Sequence, residues 1–138
     1  MNSFKRLLPI LFFIAGLCGC GKGADIRSYT VEYGESAVYS QQDMDAAVEK
    51  IVQEFREWDG CVLYSLSYAG DGCSERELNS CREREKNRDF DECIVFDASF
   101  RSPLEGGEAW EADFVYQWSW ILARSSGGTW TLVDWGVL

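Results

Sequence analysis

The chain has no histidine. That one absence removes His-based catalytic triads, imidazole metal ligands and a histidine pH switch together. Positive charge is also scarce, with 13 Lys and Arg against 23 Asp and Glu. All the acidic residues lie beyond residue 19, while Lys5 and Arg6 lie before it. A product starting at residue 20 therefore carries a net charge of −12, from 11 basic and 23 acidic residues. Such a charge disfavours nucleic acid and anionic lipid headgroups as partners, keeps a domain soluble, and holds it off a bilayer. No apolar run approaches the roughly 20 residues of a membrane-crossing helix. Also missing are a Gly-rich phosphate loop, a metal-ligand cluster and an activated nucleophile, so no cofactor is implied.

What is present begins at the N-terminus. Met1 to Arg6 is short and basic, and Leu7 to Leu17 is apolar. Leu17-Cys18-Gly19-Cys20 then supplies small residues at a cleavage point, the layout of a bacterial secretory signal. A cysteine directly after Leu-x-Gly resembles a lipobox, which makes Cys20 the acceptor of acyl chains such as palmitate. Cys18 is a poor substitute, because Leu17 would occupy the position that wants a small residue. The competing reading is an ordinary signal peptide cut near Gly19 or Gly21. Two or three acyl chains hold a protein firmly, since each buried methylene contributes about 0.8 kcal/mol. The expectation is an extracytoplasmic protein anchored to the cell membrane by lipid. Residue 21 is Gly rather than Asp, so the inner-membrane retention signal of Gram-negative bacteria is missing.

Beyond residue 19 there are 119 residues, enough for one domain. Six Trp and 14% aromatic content call for a real core. We divide the chain into a signal peptide (1–19), a tether (20–39) and a single domain (40–138), with a short strand within Tyr29 to Tyr33. Ser40-Gln41-Gln42-Asp43 fits a capping box, with Tyr39 and Met44 placed for a hydrophobic staple. Met44, Ala47, Val48, Ile51, Phe55 and Trp58 follow at helical spacing, predicting a helix over 41–58 stopped by Gly60.

Cys61 to Tyr68 reads as a strand with Val62, Tyr64, Leu66 and Tyr68 on one face. Ser74 to Arg88 reads as a surface helix with a thin seam at Leu78 and Cys81. Strands follow around Ile94–Phe100, Trp110–Leu122 and Thr129–Leu138, with Ser125 to Gly128 turning a hairpin. The predicted fold class is α+β: a curved, mainly antiparallel sheet of about four strands packed by two helices in the order α-β-α-β-β-β. Both helices are expected on the aromatic face. The opposite face offers Ser65, Ser67, Asp97, Ser99, Gln117, Ser119 and Thr131, to water or to docking of a second copy (a homodimer) or another protein.

The segments Gly60-Cys61-x-Leu63, Phe90-Asp91-Glu92-x-Ile94-Val95, Trp118-x-Trp120-Ile121-Leu122-x-Arg124 and Gly127-Gly128-x-Trp130, with the ending Asp134-Trp135-Gly136, resemble a group of small lipoproteins of Gram-positive gut bacteria. The resemblance covers about residues 38–138. It implies an anchored extracytoplasmic domain with the nuclear transport factor 2-like, or SnoaL-like, cone fold, and carries over no activity. The chain departs from that pattern in having Cys73, Cys81 and Cys93.

Four cysteines besides Cys18 and Cys20 favour disulfides in an exported protein, and their spacing lacks the CxxC pair of a zinc site. On a continuous helix Cys73 and Cys81 lie about 12 Å apart, beyond disulfide reach. Cys61 and Cys93 each open a strand, and that pair is favoured; four free thiols is the alternative. Asp134, on a regular strand, points with Trp130 and Leu132 toward the aromatic side, where Tyr64 and Tyr116 could line a cavity with it. A bulge near Gly136, or pairing of Asp134 with Arg124, would undo that. The leading expectation is a non-enzymatic binding or accessory domain. The rival is a small pocket enzyme or ligand carrier with Asp134 as base and Tyr116 as hydrogen-bond donor.

Overall fold

Ser40 opens the first helix, α1 (Gln41–Phe55), with both arms of the capping box formed. Its Oγ accepts from the Asp43 amide at 3.1 Å, and the Asp43 carboxylate accepts from the Ser40 amide at 3.0 Å. Tyr39 and Met44 are both buried beside the cap. The stripe of Met44, Ala47, Val48, Ile51 and Phe55 is buried along one side of the helix, as its spacing requires. The computed structural model describes residues 23–138; the signal peptide and Cys20 lie outside the described residues.

The sheet has five strands, in the spatial order β1 (Thr30–Glu32), β2 (Val62–Tyr68), β3 (Glu92–Arg101), β4 (Val115–Arg124) and β5 (Thr131–Gly136). The second helix, α2 (Asp71–Arg84), joins β2 to β3. β2 to β5 are antiparallel neighbours, and β1 runs parallel to β2. The architecture is α+β with an open, mixed sheet. The sheet has one strand more than the four expected, because the short strand expected within Tyr29–Tyr33 is β1 and α1 forms the crossover that brings it beside β2. A parallel pair needs a long connection of this kind.

The segment read as a tether is, from Gly23 onward, part of the domain. Asp25 bridges Val62 in parallel. The Asp25 amide donates to the Cys61 carbonyl at 2.7 Å, and the Gly60 amide donates to the Gly23 carbonyl at 3.1 Å. Gly60 sits at φ +80°, and a Cβ there would lie 3.1 Å from Pro103. Farther along, the Tyr33 hydroxyl donates to Asp45 of α1 at 2.6 Å. Asp71, at the start of α2, accepts from the Ser36 hydroxyl at 2.6 Å, the Ala37 amide at 2.8 Å and the Tyr68 hydroxyl.

Two cores lie on opposite faces. α1 covers Leu63, Leu66, Ile94, Phe96, Ala98, Phe100, Trp120 and Leu122. α2 covers Cys93, Val95, Ile121 and Ala123 through Cys73, Leu78 and Cys81. The helices therefore do not share the aromatic face, and α2 closes part of the side expected to be open. Asp97 and Gln117 remain exposed on the uncovered part.

Two bulges set which side chains face which core. Leu63 lies opposite Phe100 and Ser65 opposite Ser99, leaving Tyr64 as the extra residue. Leu63 is thereby buried and Tyr64 is 38% exposed, the reverse of the simple alternation. On β5, Leu132 faces Leu122 while Asp134 faces Ile121, so Val133 and Asp134 together oppose one residue.

Candidate functional site

The most highly organised polar group gathers where β4 ends. Arg124 lies opposite Glu92 in the β3–β4 register, and α1 presents Asp43 to it from its first turn. The guanidinium bonds Asp43 at 3.0 Å and Glu92 at 3.2 Å, and its own side chain is 9% exposed. Its centre stands 4.1 Å from the centroid of the Trp130 ring, a close cation–π approach. The Trp130 indole N–H donates to the Asp43 carbonyl at 3.0 Å. Burial works against the charge on Arg124, yet Glu92 and Asp43 hold its pKa above the ordinary value. The Ser40 backbone amide, then Arg124, hold Asp43 below the usual carboxylate range. Every charge here has a partner, so the cluster fastens α1 to the β4–β5 hairpin and offers no free reactive group.

Two open grooves flank it. One of about 360 Å³ runs between α1 and the hairpin, along Lys50, Gln53, Arg124, Thr129 and Trp130. The other, about 330 Å³, lies between α2 and residues 38–39 and is lined by Tyr39, Asp71, Leu78, Glu92 and Cys93. Neither contains Tyr64, Tyr116 or Asp134.

Those three residues, expected to share a cavity, lie in three places. Tyr64 projects from its bulge. Tyr116 stacks on Phe100 with ring centroids 5.6 Å apart, and its hydroxyl accepts from the Glu111 amide at 2.9 Å. Asp134 is turned by the β5 bulge to the α2 side, where it pairs with Arg84 and not with Arg124. The bulge falls at Val133, three residues before the Gly136 position. The aromatic face itself is filled. Trp58 has the rings of Phe55, Phe100, Trp110, Trp118, Trp120 and Trp135 around it, at centroid distances of 5.0–5.9 Å.

The cysteine pairing also differs from the expectation. Cys61 belongs to the α1 core and Cys93 to the α2 core, so the sheet lies between the two thiols. Instead Cys81 and Cys93 bring their sulfurs to 3.7 Å, both thiols being free. Its hydrogen bond to the Cys81 sulfur, with burial, pushes the Cys93 thiol far above the ordinary range. Burial alone pushes Cys61 up to about 11. Among the described residues no cluster of three or more acidic or cysteine side chains is arranged to hold a metal ion.

Sequence reasoning missed the Arg124 cluster and the Asp71 junction. Asp43, three residues after the cap, was the one available signal. Nothing local marks Arg124 as its partner. No protein-family model matches the chain, and no curated protein or solved structure matches it significantly. The resemblance to small gut-bacterial lipoproteins therefore stands on its motif residues alone.

Proposed function

We propose that this chain is a membrane-anchored extracytoplasmic lipoprotein whose α+β domain acts as a non-enzymatic binding or accessory module. The observation that carries the non-enzymatic part is the placement of Trp58. In a cone-type fold the ligand space would lie between the helix and the aromatic face of the sheet, and six aromatic rings crowd Trp58 there. A pocket enzyme or ligand carrier using Asp134 and Tyr116 would need those groups to converge. They are engaged on separate partners, Arg84 and the Glu111 amide.

The anchoring part rests on Leu17-Cys18-Gly19-Cys20 following a basic start and a short apolar core. The cone-fold resemblance belongs to the same reading. Fractionation of cells carrying the wild-type chain or Cys20→Ala tests it, with intact mass read on the membrane-extracted protein. The wild type should sediment with membranes and carry acyl mass on residue 20, and Cys20→Ala should be released. A Cys20→Ala protein that still sediments would defeat the anchor. A hydrolase or isomerase activity abolished by both Asp134→Asn and Tyr116→Phe would defeat the non-enzymatic reading.

A further inference from the structure

We propose that one end of the sheet, the end carrying Leu104, Phe114 and Val115, lies flat against the lipid surface to which Cys20 is fixed. The inference rests on the anchored reading above and adds the orientation of the domain.

Three observations lead to it. The first is chain length. Only Gly21 and Lys22 separate Cys20 from Gly23; the Gly23 carbonyl accepts from the Gly60 amide, and Asp25 is bonded to Cys61 and Leu63 at the start of β2. Three residue steps span at most about 11 Å even fully extended. An acylated Cys20 thus keeps the Gly23 end of the domain within about 11 Å of the headgroups, leaving no slack for the domain to stand off.

The second is position. Asp25, Val62, Arg101 and Val115 form one cross-strand row, each opposite the next. At about 4.8 Å per strand, Val115 lies roughly 14 Å from Asp25. Leu104 follows Pro103, the residue that a Cβ on Gly60 would strike. The Ser102 amide donates to the Phe114 carbonyl at 2.9 Å, and the Asp113 amide to Pro103 at 2.8 Å. The loop bearing Leu104 and Phe114 is therefore fastened at the end where the anchor enters.

The third is exposure. Leu104 is 70% exposed and Phe114 and Val115 each 48%, a group of three held together by one loop. Val38, Tyr64, Trp135, Val137 and Leu138 are the other exposed large apolar side chains of the described residues. Apolar groups collected at an anchored end suit the headgroup–acyl boundary. Glu105, Glu108, Glu111 and Asp113 surround them in the same loop, with Asp113 facing Arg101 at 3.3 Å. That acidic rim selects a zwitterionic surface over an anionic one. The net charge that predicts a domain held off the bilayer is thus opposed locally by insertion of apolar side chains. The Arg124 cluster, at the other end of β3 and β4, then stands about 30 Å farther out.

The test is hydrogen exchange by mass spectrometry on native acylated protein in phosphatidylcholine vesicles, against the soluble Cys20→Ala protein, with intact mass read on both. Amides of residues 102–115 should exchange about tenfold more slowly on vesicles, and those of 84–90 should not change. Leu104→Ser combined with Phe114→Ser should abolish that protection while leaving the acyl mass intact. Acylated protein on vesicles without protection at 102–115 would overturn the orientation and leave the anchor standing. Protection that appears in the Cys20→Ala protein and grows with its concentration would assign the patch to a second copy. Native protein with an unmodified residue 20 would overturn both readings.

Discussion

The guanidinium of Arg124 is stacked on Trp130 and shared between Asp43 and Glu92, so three separate segments meet on one side chain. Removing the cation leaves two partly buried carboxylates facing an indole. Arg124→Ala should lower stability by about 2–4 kcal/mol, while Glu92→Gln, which leaves the Asp43 pair and the ring contact, should cost about 1 kcal/mol. Urea unfolding at neutral pH measures both. Equal effects would show that the cluster is not organised around Arg124.

Acid should loosen the same joint and the Asp71 junction. Asp43 is held low by the Ser40 amide and Arg124, and Asp71 by the Ser36 hydroxyl, the Tyr68 hydroxyl and the Ala37 amide. Both folded pKa values are depressed, so their stabilisation is fully present above the unfolded carboxyl pKa of about 3.9 and disappears as pH falls through the folded values. The urea midpoint should drop below about pH 4. Asp43→Asn with Asp71→Asn should be weaker at pH 6 and show a flatter acid limb. An unchanged slope in the double variant would remove these two groups from the acid response.

Oxidation should join Cys81 to Cys93. Their sulfurs need to close from 3.7 Å to about 2.05 Å, and oxidised glutathione takes up the two electrons and two protons as two reduced thiols. The protein mass should fall by about 2 Da, with a peptide linking residues 81 and 93 and a gain of about 2–4 kcal/mol against unfolding. Cys61, buried on the other side of the sheet, should remain a free thiol. A Cys61 cross-link to any other cysteine would contradict this arrangement.

Tyr116 and Asp134 should behave as structural residues. Tyr116→Phe removes the acceptor for the Glu111 amide and should cost about 1 kcal/mol. Arg84 and Asp134 are half exposed, so Asp134→Asn should change stability by less than about 1 kcal/mol. Thermal unfolding of each variant provides the measurement; a loss above 3 kcal/mol for Asp134→Asn would mean that it supports far more than its surface pair.

Gly60→Ala should be worse than an ordinary surface substitution. A positive φ and a close approach to Pro103 coincide there, and the expected loss is about 1–3 kcal/mol. Pro103→Ala in the same chain should recover part of it by relieving the contact. No recovery would assign the whole loss to backbone conformation.

Much of the fold was legible because local signals and burial agree. The capping box and the stripe from Met44 to Phe55 mark α1, and the Ser125–Gly128 turn separates β4 from β5. What escaped was set by distant partners. The short strand expected within Tyr29–Tyr33 is β1, but its place in the sheet was not legible, because its pairing depends on a crossover through α1. The second helix begins at Asp71 rather than Ser74, because Asp71 is stabilised by Ser36, Ala37 and Tyr68 from elsewhere. Ser74, the first residue of the expected helix, is buried and accepts from the Val95 amide at 3.2 Å. The bulges at Tyr64 and Val133 reverse the facing of single residues without any mark in the alternation. That is why Tyr64 and Asp134 left the proposed cavity and Leu63 entered the core.

The crowding around Trp58 has a spectroscopic consequence. Indoles of Trp58 and Trp120, 5.0 Å apart and inclined by 31°, are close enough for their electronic transitions to couple. Near-ultraviolet circular dichroism should therefore carry a strong signal that originates where the end of α1 meets the sheet. Emission from this cluster should be shared among neighbours by energy transfer. Light thus gives a label-free view of that joint, separate from changes at the Arg124 end.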